Sequence, residues 1–260
     1  MGAERQTVRL AQEQGLSAPL VVLTGGSSGL GAAMAEQLAG SGHRVLSLAR
    51  RRSDALPEAV QQWEADLSDP VPVTERLRTW LAGQSPAEVA SATLISNAGT
   101  NTAPGPLSHA DPAELSRALR VDLEAAVLLT STFLASTRSW PVPRKVLLIS
   151  SGVGRRPLAG SATYGAAKAG LDQLARAVAL EEAAEMSGAR IVSLAPGRFE
   201  TRMMALMRDA DPELFPNREE FVKLKEEGEL DTPEEAAAKV LAYLARPDFG
   251  DEPVADVRKG

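Results

Sequence analysis

Near its start the chain passes from a five-residue apolar run, Leu20–Thr24, into a glycine-rich turn, Thr24-Gly25-Gly26-Ser27-Ser28-Gly29-Leu30-Gly31. Leu30, Met34 and Leu38 then recur every fourth residue. A period of four marks one helix face, so the run reads as strand, tight turn and helix, with Gly40 and Gly42 ending the helix. Glycine permits positive φ and close backbone approach, and a helix N-terminus offers free N–H groups with a favourable dipole for a pyrophosphate. The plainer alternative is a strand-to-helix turn with no ligand. A Walker loop is excluded because no Lys-Ser/Thr pair follows the last glycine.

The same alternation continues along the chain. Short β-rich runs at Leu20–Thr24, Arg44–Ala49, Gln62–Asp66, Ala92–Ser96, Lys145–Ser150, Arg190–Ala195 and Pro253–Val257 are separated by helical patterns. Such alternation predicts an α/β fold: a single-domain Rossmann-type, doubly wound parallel sheet of about seven strands with helices on both faces. Residues 1–18 read as a polar extension and 19–260 as the nucleotide-binding domain. Between Asp111 and Arg138, Leu115, Leu119, Leu123, Val127 and Leu134 predict one helix with its apolar stripe on the sheet, capped by Asp111-Pro112. An Ala-rich helix is expected from Ala162 to Met186, and Thr232-Pro233-Glu234-Glu235 should open another. The stretch 200–231, mixing Met and Phe with many charges, reads as a mobile helical cover.

Bulk properties narrow the function. A length of 260 residues with 44% hydrophobic content suffices for a full core. The net charge of −6 argues against nucleic-acid and membrane-surface binding, which favour basic faces. With no cysteine and two histidines, His43 and His109, lacking ligand-spaced partners, no metal site is expected. The polar start and the lack of a long apolar run suggest a cytoplasmic protein.

Three side chains carry chemistry. Tyr164 and Lys168 stand one helical turn apart, and Ser151 lies thirteen residues before the tyrosine at a strand end. A phenol titrates near pH 10; a nearby ammonium would lower that value and make proton exchange practicable. Ser151 can hold the oxygen being protonated. A Tyr-x-x-x-Lys pair alone is also ordinary helical sequence; combined with the glycine turn it predicts hydride transfer to a carbonyl. The second strand ends in Arg50 and Arg51, with no acidic residue for a ribose 2′-hydroxyl, which favours NADP(H) over NAD(H). A solvated basic loop is the alternative. Asp66 is placed either to accept from an adenine amino group or as an ordinary strand-end carboxylate. Asp122 falls on the inner side of its helix, with Leu115, Leu119 and Ala126, and a buried carboxylate there must be paired, bonded or hydrated.

Together these residues resemble the short-chain dehydrogenase/reductase family over roughly residues 18–257. The resemblance implies roles for Ser96-Asn97-Ala98-Gly99, where the family usually has Asn-Asn-Ala-Gly, and for Pro196-Gly197 with Thr201. By it, Tyr164 is the proton donor, Ser151 the substrate-oxygen partner and Lys168 the ligand of the nicotinamide ribose. Gly25, Ser27, Ser28, Gly29, Leu30, Gly31, Asn97, Ala98, Gly99, Pro196, Gly197 and Thr201 then line the cofactor. Asp122 replaces an asparagine that holds a water beside the lysine, so its charge should move the pH profile upward. The segments 195–204 and 221–230 and the closing Val254–Val257 look most like benzil and sepiapterin reductases. Sepiapterin reductases hold the pterin with a carboxylate near the chain end; Asp256 stands there, or is a plain strand carboxylate.

The reading is therefore an NADPH-dependent reductase of a small-molecule ketone or 1,2-diketone, paired as a homodimer or homotetramer through the helices bearing Asp122 and Tyr164. Phe199, Met203, Met204, Met207 and Phe215 either line an apolar substrate pocket or pack the cover on the sheet. An NADP-binding sensor without turnover is the competing class.

Overall fold

The computed structural model describes residues 17–259 apart from residue 101, so the expected N-terminal extension lies almost wholly outside the described residues. Seven strands form one all-parallel sheet: β1 Ala18–Thr24, β2 Arg44–Ala49, β3 Val60–Glu64, β4 Val89–Ser96, β5 Arg144–Ile149, β6 Arg190–Ala195 and β7 Val254–Asp256. Their spatial order is β3-β2-β1-β4-β5-β6-β7. Chain order reverses between β1 and β4, which opens a crevice beyond the carboxyl ends of the strands, where ligands bind in such sheets.

Alternate residues of each central strand enter opposite apolar layers, because side chains in a strand repeat every two positions. Leu20, Val22, Leu94, Val146 and Leu148 face one layer, while Val21, Leu23, Ile95, Leu147 and Ile149 face the other. Helices α2 Pro70–Ala82, α4 Ala125–Thr137 and α5 Ala162–Ala183 cover the first layer, with Phe133 fully buried. Helices α1 Gly29–Gly40 and α8 Pro233–Leu244 cover the second, through Leu30, Met34, Leu38, Ala236 and Val240. The α8 start is the expected capping box: Thr232 accepts from the Glu235 amide at 3.2 Å, and Glu235 from the Thr232 amide at 2.8 Å.

Three expectations change. The third strand begins two residues earlier than expected and ends at Glu64, with Val60 buried in one apolar layer and Trp63 in the other; Asp66 thus stands beyond the strand. The Ala-rich helix stops at Ala183, short of Met186, which is fully exposed. The third change matters most. The helix expected between Asp111 and Arg138 is α3 Pro112–Leu119, a π-turn at Arg120–Glu124, and then α4. The wider turn shifts the phase of the helix, so the buried line is Ala118, Asp122, Ala125, Leu129 and Phe133. Leu119 and Val127 of the expected inner stripe are instead 38% and 37% exposed.

The cover over 200–231 contains α6 Arg202–Arg208 and α7 Arg218–Glu226, and it is anchored. Met207 and Phe215 are buried, Phe215 lies 5.6 Å from Phe221, and Phe199 bridges to Asp231. Among the described residues, no helix is long and apolar enough to cross a membrane.

Phe133→Ala removes a fully enclosed ring between α4 and the sheet and should cost about 3–5 kcal/mol. Urea denaturation should show the lower midpoint with an unchanged slope.

Candidate active site

The carboxyl ends of β1, β2, β4, β5 and β6 bring the glycine turn, Arg50, Asn97, Ser151 and Pro196 to one edge of the sheet. At the crevice, the buried Thr24 hydroxyl accepts from the amides of Asn97 and Ala98, each at 2.9 Å. Asn97 returns a bond from its side-chain amide to Thr24 O at 3.0 Å. The turn is packed against this joint: a Cβ on Gly31 would lie 2.2 Å from Gly25 O and 2.6 Å from Asn97 Nδ2, so only glycine fits.

Gly29 differs from its neighbours. Its φ is +54°, and a Cβ there would meet nothing within 4 Å. Ser28, the residue before α1, makes no side-chain cap, which leaves the first amides of the helix without a capping acceptor from it. Free amides, a helix dipole and room to approach fit the pyrophosphate of a dinucleotide. Ser27, Ser28, Gly29, Leu30 and Gly31 are the residues that would hold it. Arg50 and Arg51 are exposed at the end of β2. The Asp66 carboxyl accepts from the Ser68 amide at 2.9 Å and hydroxyl at 2.8 Å. Those bonds, aided by the charge of Arg50, hold it below the ordinary carboxylate range.

Ser151 follows β5, and Tyr164 and Lys168 project from α5 onto the same edge. Ser151 Oγ accepts from the Val153 amide at 3.3 Å, and its hydroxyl lies near enough to the Tyr164 phenol to act on its pKa. Lys168 is 3% exposed; its ammonium donates to Ile149 O at 2.9 Å and lies 5.4 Å from the centre of the Tyr164 ring. Burial lowers the ammonium's pKa, opposed by the carboxylates of Asp122 and Asp172. The phenol stands above its ordinary value, not below as the sequence suggests. Burial raises it most, Asp122 raises it further, and only the Ser151 hydroxyl acts the other way.

Asp122 lies within the π-turn, buried to 2% exposure, and accepts from the Thr100 amide at 2.6 Å. Burial pushes its pKa up to about 6, against the pull of Lys168 and the Thr100 bond. A point 3.7 Å from its Oδ1 and 3.9 Å from Lys168 Nζ is where a Cβ on Gly99 would sit, so both groups flank Gly99.

Beyond β6, Pro196 is buried and Gly197 takes φ +90°. Thr201 caps α6 by accepting from the Met204 amide at 3.0 Å. Met203 and Met204 are half-buried, as is Phe199, which packs on the second apolar layer. Asp256 is paired with Arg258, which donates at 2.9 and 2.5 Å, as a strand-end carboxylate would be. A cleft of about 380 Å³ between Arg198, Asp231, Lys239 and Arg258 touches none of Ser151, Tyr164 or Lys168. Sequence reasoning passed over the Thr24 joint and over Asp172, although Asp172 stands one turn beyond Lys168 on the same face, which was signal enough to notice it.

Residues 19–212 match the family model for short chain dehydrogenase. The chain belongs to the short-chain dehydrogenase/reductase family. It is 34% identical to a benzil reductase ((S)-benzoin forming) of Bacillus cereus, covering 88% of this chain and 95% of that one. It is 33% identical to the sepiapterin reductase of Rattus norvegicus, covering 90% and 94%. Among solved structures, a Beutenbergia cavernae protein described as an NAD(P)-dependent gluconate 5-dehydrogenase, with NADP bound at low occupancy, superposes with a TM-score of 0.76. It shares 26% identity over 93% of this chain and 96% of that one. Membership makes the chain an oxidoreductase of the NAD(P)-using kind, and the two reductase relatives support carbonyl reduction.

The raised pKa of Asp122 has a thermodynamic consequence. The folded state holds this proton up to about pH 6, whereas an unfolded chain releases it near pH 4. Stability therefore falls as pH rises through that window and stays lowered above it. Asp122→Asn should stabilise the protein at pH 8 by about 3 kcal/mol, at about 1.4 kcal/mol per unit, and by far less at pH 4. Thermal melts of both proteins at the two pH values check the sign.

Proposed function

We propose that the protein is an NADPH-dependent carbonyl reductase that acts on ketones or 1,2-diketones with aromatic or alicyclic bodies. The observation that carries this reading is that Ser151, Tyr164 and Lys168 meet at the crevice edge that also bears the open α1 N-terminus, with Lys168 Nζ 5.4 Å from the centre of the Tyr164 ring. The likeness to a benzil reductase supports the diketone class. Exposed Arg50 and Arg51, with no carboxylate at the end of β2, support NADP(H) over NAD(H).

NADPH, once bound, supplies the hydride for the carbonyl carbon. The chain's own residues do the rest. Ser151 donates its hydroxyl to the carbonyl oxygen and fixes it beside the phenol. Tyr164 gives its proton to that oxygen as negative charge develops there. A phenol held above its ordinary value is protonated at neutral pH and is a weaker acid for it, so the transfer depends on the charge that develops on the carbonyl oxygen. Lys168 Nζ lies 5.4 Å from the centre of the Tyr164 ring, and the Asp122 carboxylate acts on both groups, raising the pKa of each. Phe199, Met203 and Met204, on the loop and helix beyond β6, supply half-buried apolar surface for the substrate body. The protein assembles as a homodimer or homotetramer. Its support is the outward apolar line through Leu119 and Val127, with Leu180 of α5 77% exposed.

Oxidation of NADPH in the presence of benzil, with benzoin as product, tests the activity. Tyr164→Phe should lower kcat by about 10²–10⁴-fold while NADPH binding, followed by fluorescence, is retained; full activity in the variant would refute the role. Arg50→Ala should weaken NADPH about 10–100-fold and leave NADH unchanged, which a titration with the two cofactors reads directly.

A further inference from the structure

Behind the site lies a buried polar cluster that the proposed chemistry does not use. Asp172 is 2% exposed and sits one turn beyond Lys168 on α5. Its Oδ1 accepts from the Ser150 hydroxyl at 2.8 Å and from the Ser193 hydroxyl at 2.7 Å. Its Oδ2 accepts from Arg155 Nε at 2.8 Å, and Arg155 Nη2 reaches Oδ1 at 3.4 Å and Ser193 O at 3.3 Å. Burial opposes its ionisation, but the bonds from Arg155, Ser193 and Ser150 outweigh burial and hold the carboxyl below the ordinary range. The charge on the carboxylate is thus matched by a guanidinium whose side chain is 26% exposed.

The partners of Asp172 have a telling arrangement. Ser150 and Arg155 bracket Ser151 in the chain, and Ser193 belongs to the next strand, β6. Between the two brackets, the 3₁₀ turn Gly152–Gly154 lies flush on α5. A Cβ on Gly154 would fall 2.8 Å from the Lys168 carbonyl carbon and 2.9 Å from the Ala169 nitrogen. The Ser151 segment is therefore tied at both ends to one carboxylate, on the helix that carries Tyr164 and Lys168.

We propose that Asp172 is a positioning residue for the carbonyl reduction: it sets the spacing between the Ser151 hydroxyl and the Tyr164–Lys168 face of α5, with Arg155 as its counterpart. The proposal rests on the function given above. Asp172 touches neither Ser151 nor Tyr164 and acts through the segment it holds. A displacement of about 1 Å at a reacting group is enough to slow chemistry on the order of 100-fold, so a brace of this kind should appear in kcat before it appears in binding.

The test uses the full chain with NADPH and benzil. Asp172→Asn and Arg155→Met should each lower kcat about 10–100-fold, with KM and the NADPH Kd within about threefold. Because both changes break one interaction, the double variant should be no slower than the worse single one. Glu182→Gln is the control: Glu182 is an equally buried carboxylate on α5, held by Arg144 at 3.5 Å and the Ala189 amide at 2.7 Å, away from Ser151. It should lower Tm and leave kcat intact. Unchanged kcat in folded Asp172→Asn, or an equal kcat loss in Glu182→Gln, overturns the proposal. If Asp172→Asn does not fold, Arg155→Met, at the more exposed partner, decides by the same criterion. Should the unaltered protein reduce no diketone, the functional reading fails on its own. A crystal structure of Asp172→Asn then decides this proposal: Ser151 displaced from the Tyr164 hydroxyl upholds it, and Ser151 in place overturns it.

Discussion

Where the strand order reverses, the Thr24 hydroxyl takes two backbone amides from the end of β4, and Asn97 returns an amide to the end of β1. Parallel strands at a switch point send their following chain segments to opposite faces, which leaves the amides of Asn97 and Ala98 at the end of β4 without ladder partners. One buried hydroxyl satisfies two of them and holds the walls of the crevice at a fixed separation. The glycine turn packs onto this joint with no space for a side chain at Gly31. Every other part of the site is measured from here, because Ser151 and Pro196 follow the strands that pair outward from β4.

Around Lys168 the protein has assembled an unusual density of buried charge. Asp122 comes from the π-turn and Asp172 from the same helix, and Arg155 closes the group from the loop after β5. Two carboxylates against two cations leave little net charge, which is what makes such a cluster tolerable in a medium that solvates ions poorly. The members are not equivalent. Asp172 has four hydrogen bonds and is held ionised, whereas Asp122 has one backbone amide and is pushed toward its neutral form. The first carboxylate behaves as structure and the second as an adjustable charge beside the phenol.

Much of this was legible in the chain itself. Continuous apolar runs such as Val146–Ile149 identified buried parallel strands, and the glycine turn and the Thr232 capping box announced helix starts through local chemistry. The third strand slipped by two residues because Val60-Gln61-Gln62-Trp63 buries only its outer members, so hydrophobicity alone blurs its ends. The π-turn was invisible. A 3.6-residue period continues through Leu115, Leu119, Leu123 and Val127, and no glycine or proline marks the extra residue. In the site, Ser151, Tyr164 and Lys168 could be found from spacing, but the sign of the shift on the phenol is set by its burial and by Asp122, a matter of packing. Asp172 lay at a helical interval from Lys168, yet its partners Ser150, Arg155 and Ser193 are joined only by the fold.

The π-turn also couples the inside of the molecule to its outside. Each residue added to or taken from a helix rotates all that follows by about 100°. Excising one residue between Arg120 and Glu124 would therefore swing α4 as a whole against α3, taking the exposed Val127 out of line with Leu119 as it disturbed the turn that holds the interior carboxylate. The seam available for self-association and the charge beside the phenol are set by the same dihedral phase. A lineage could not retune one without disturbing the other.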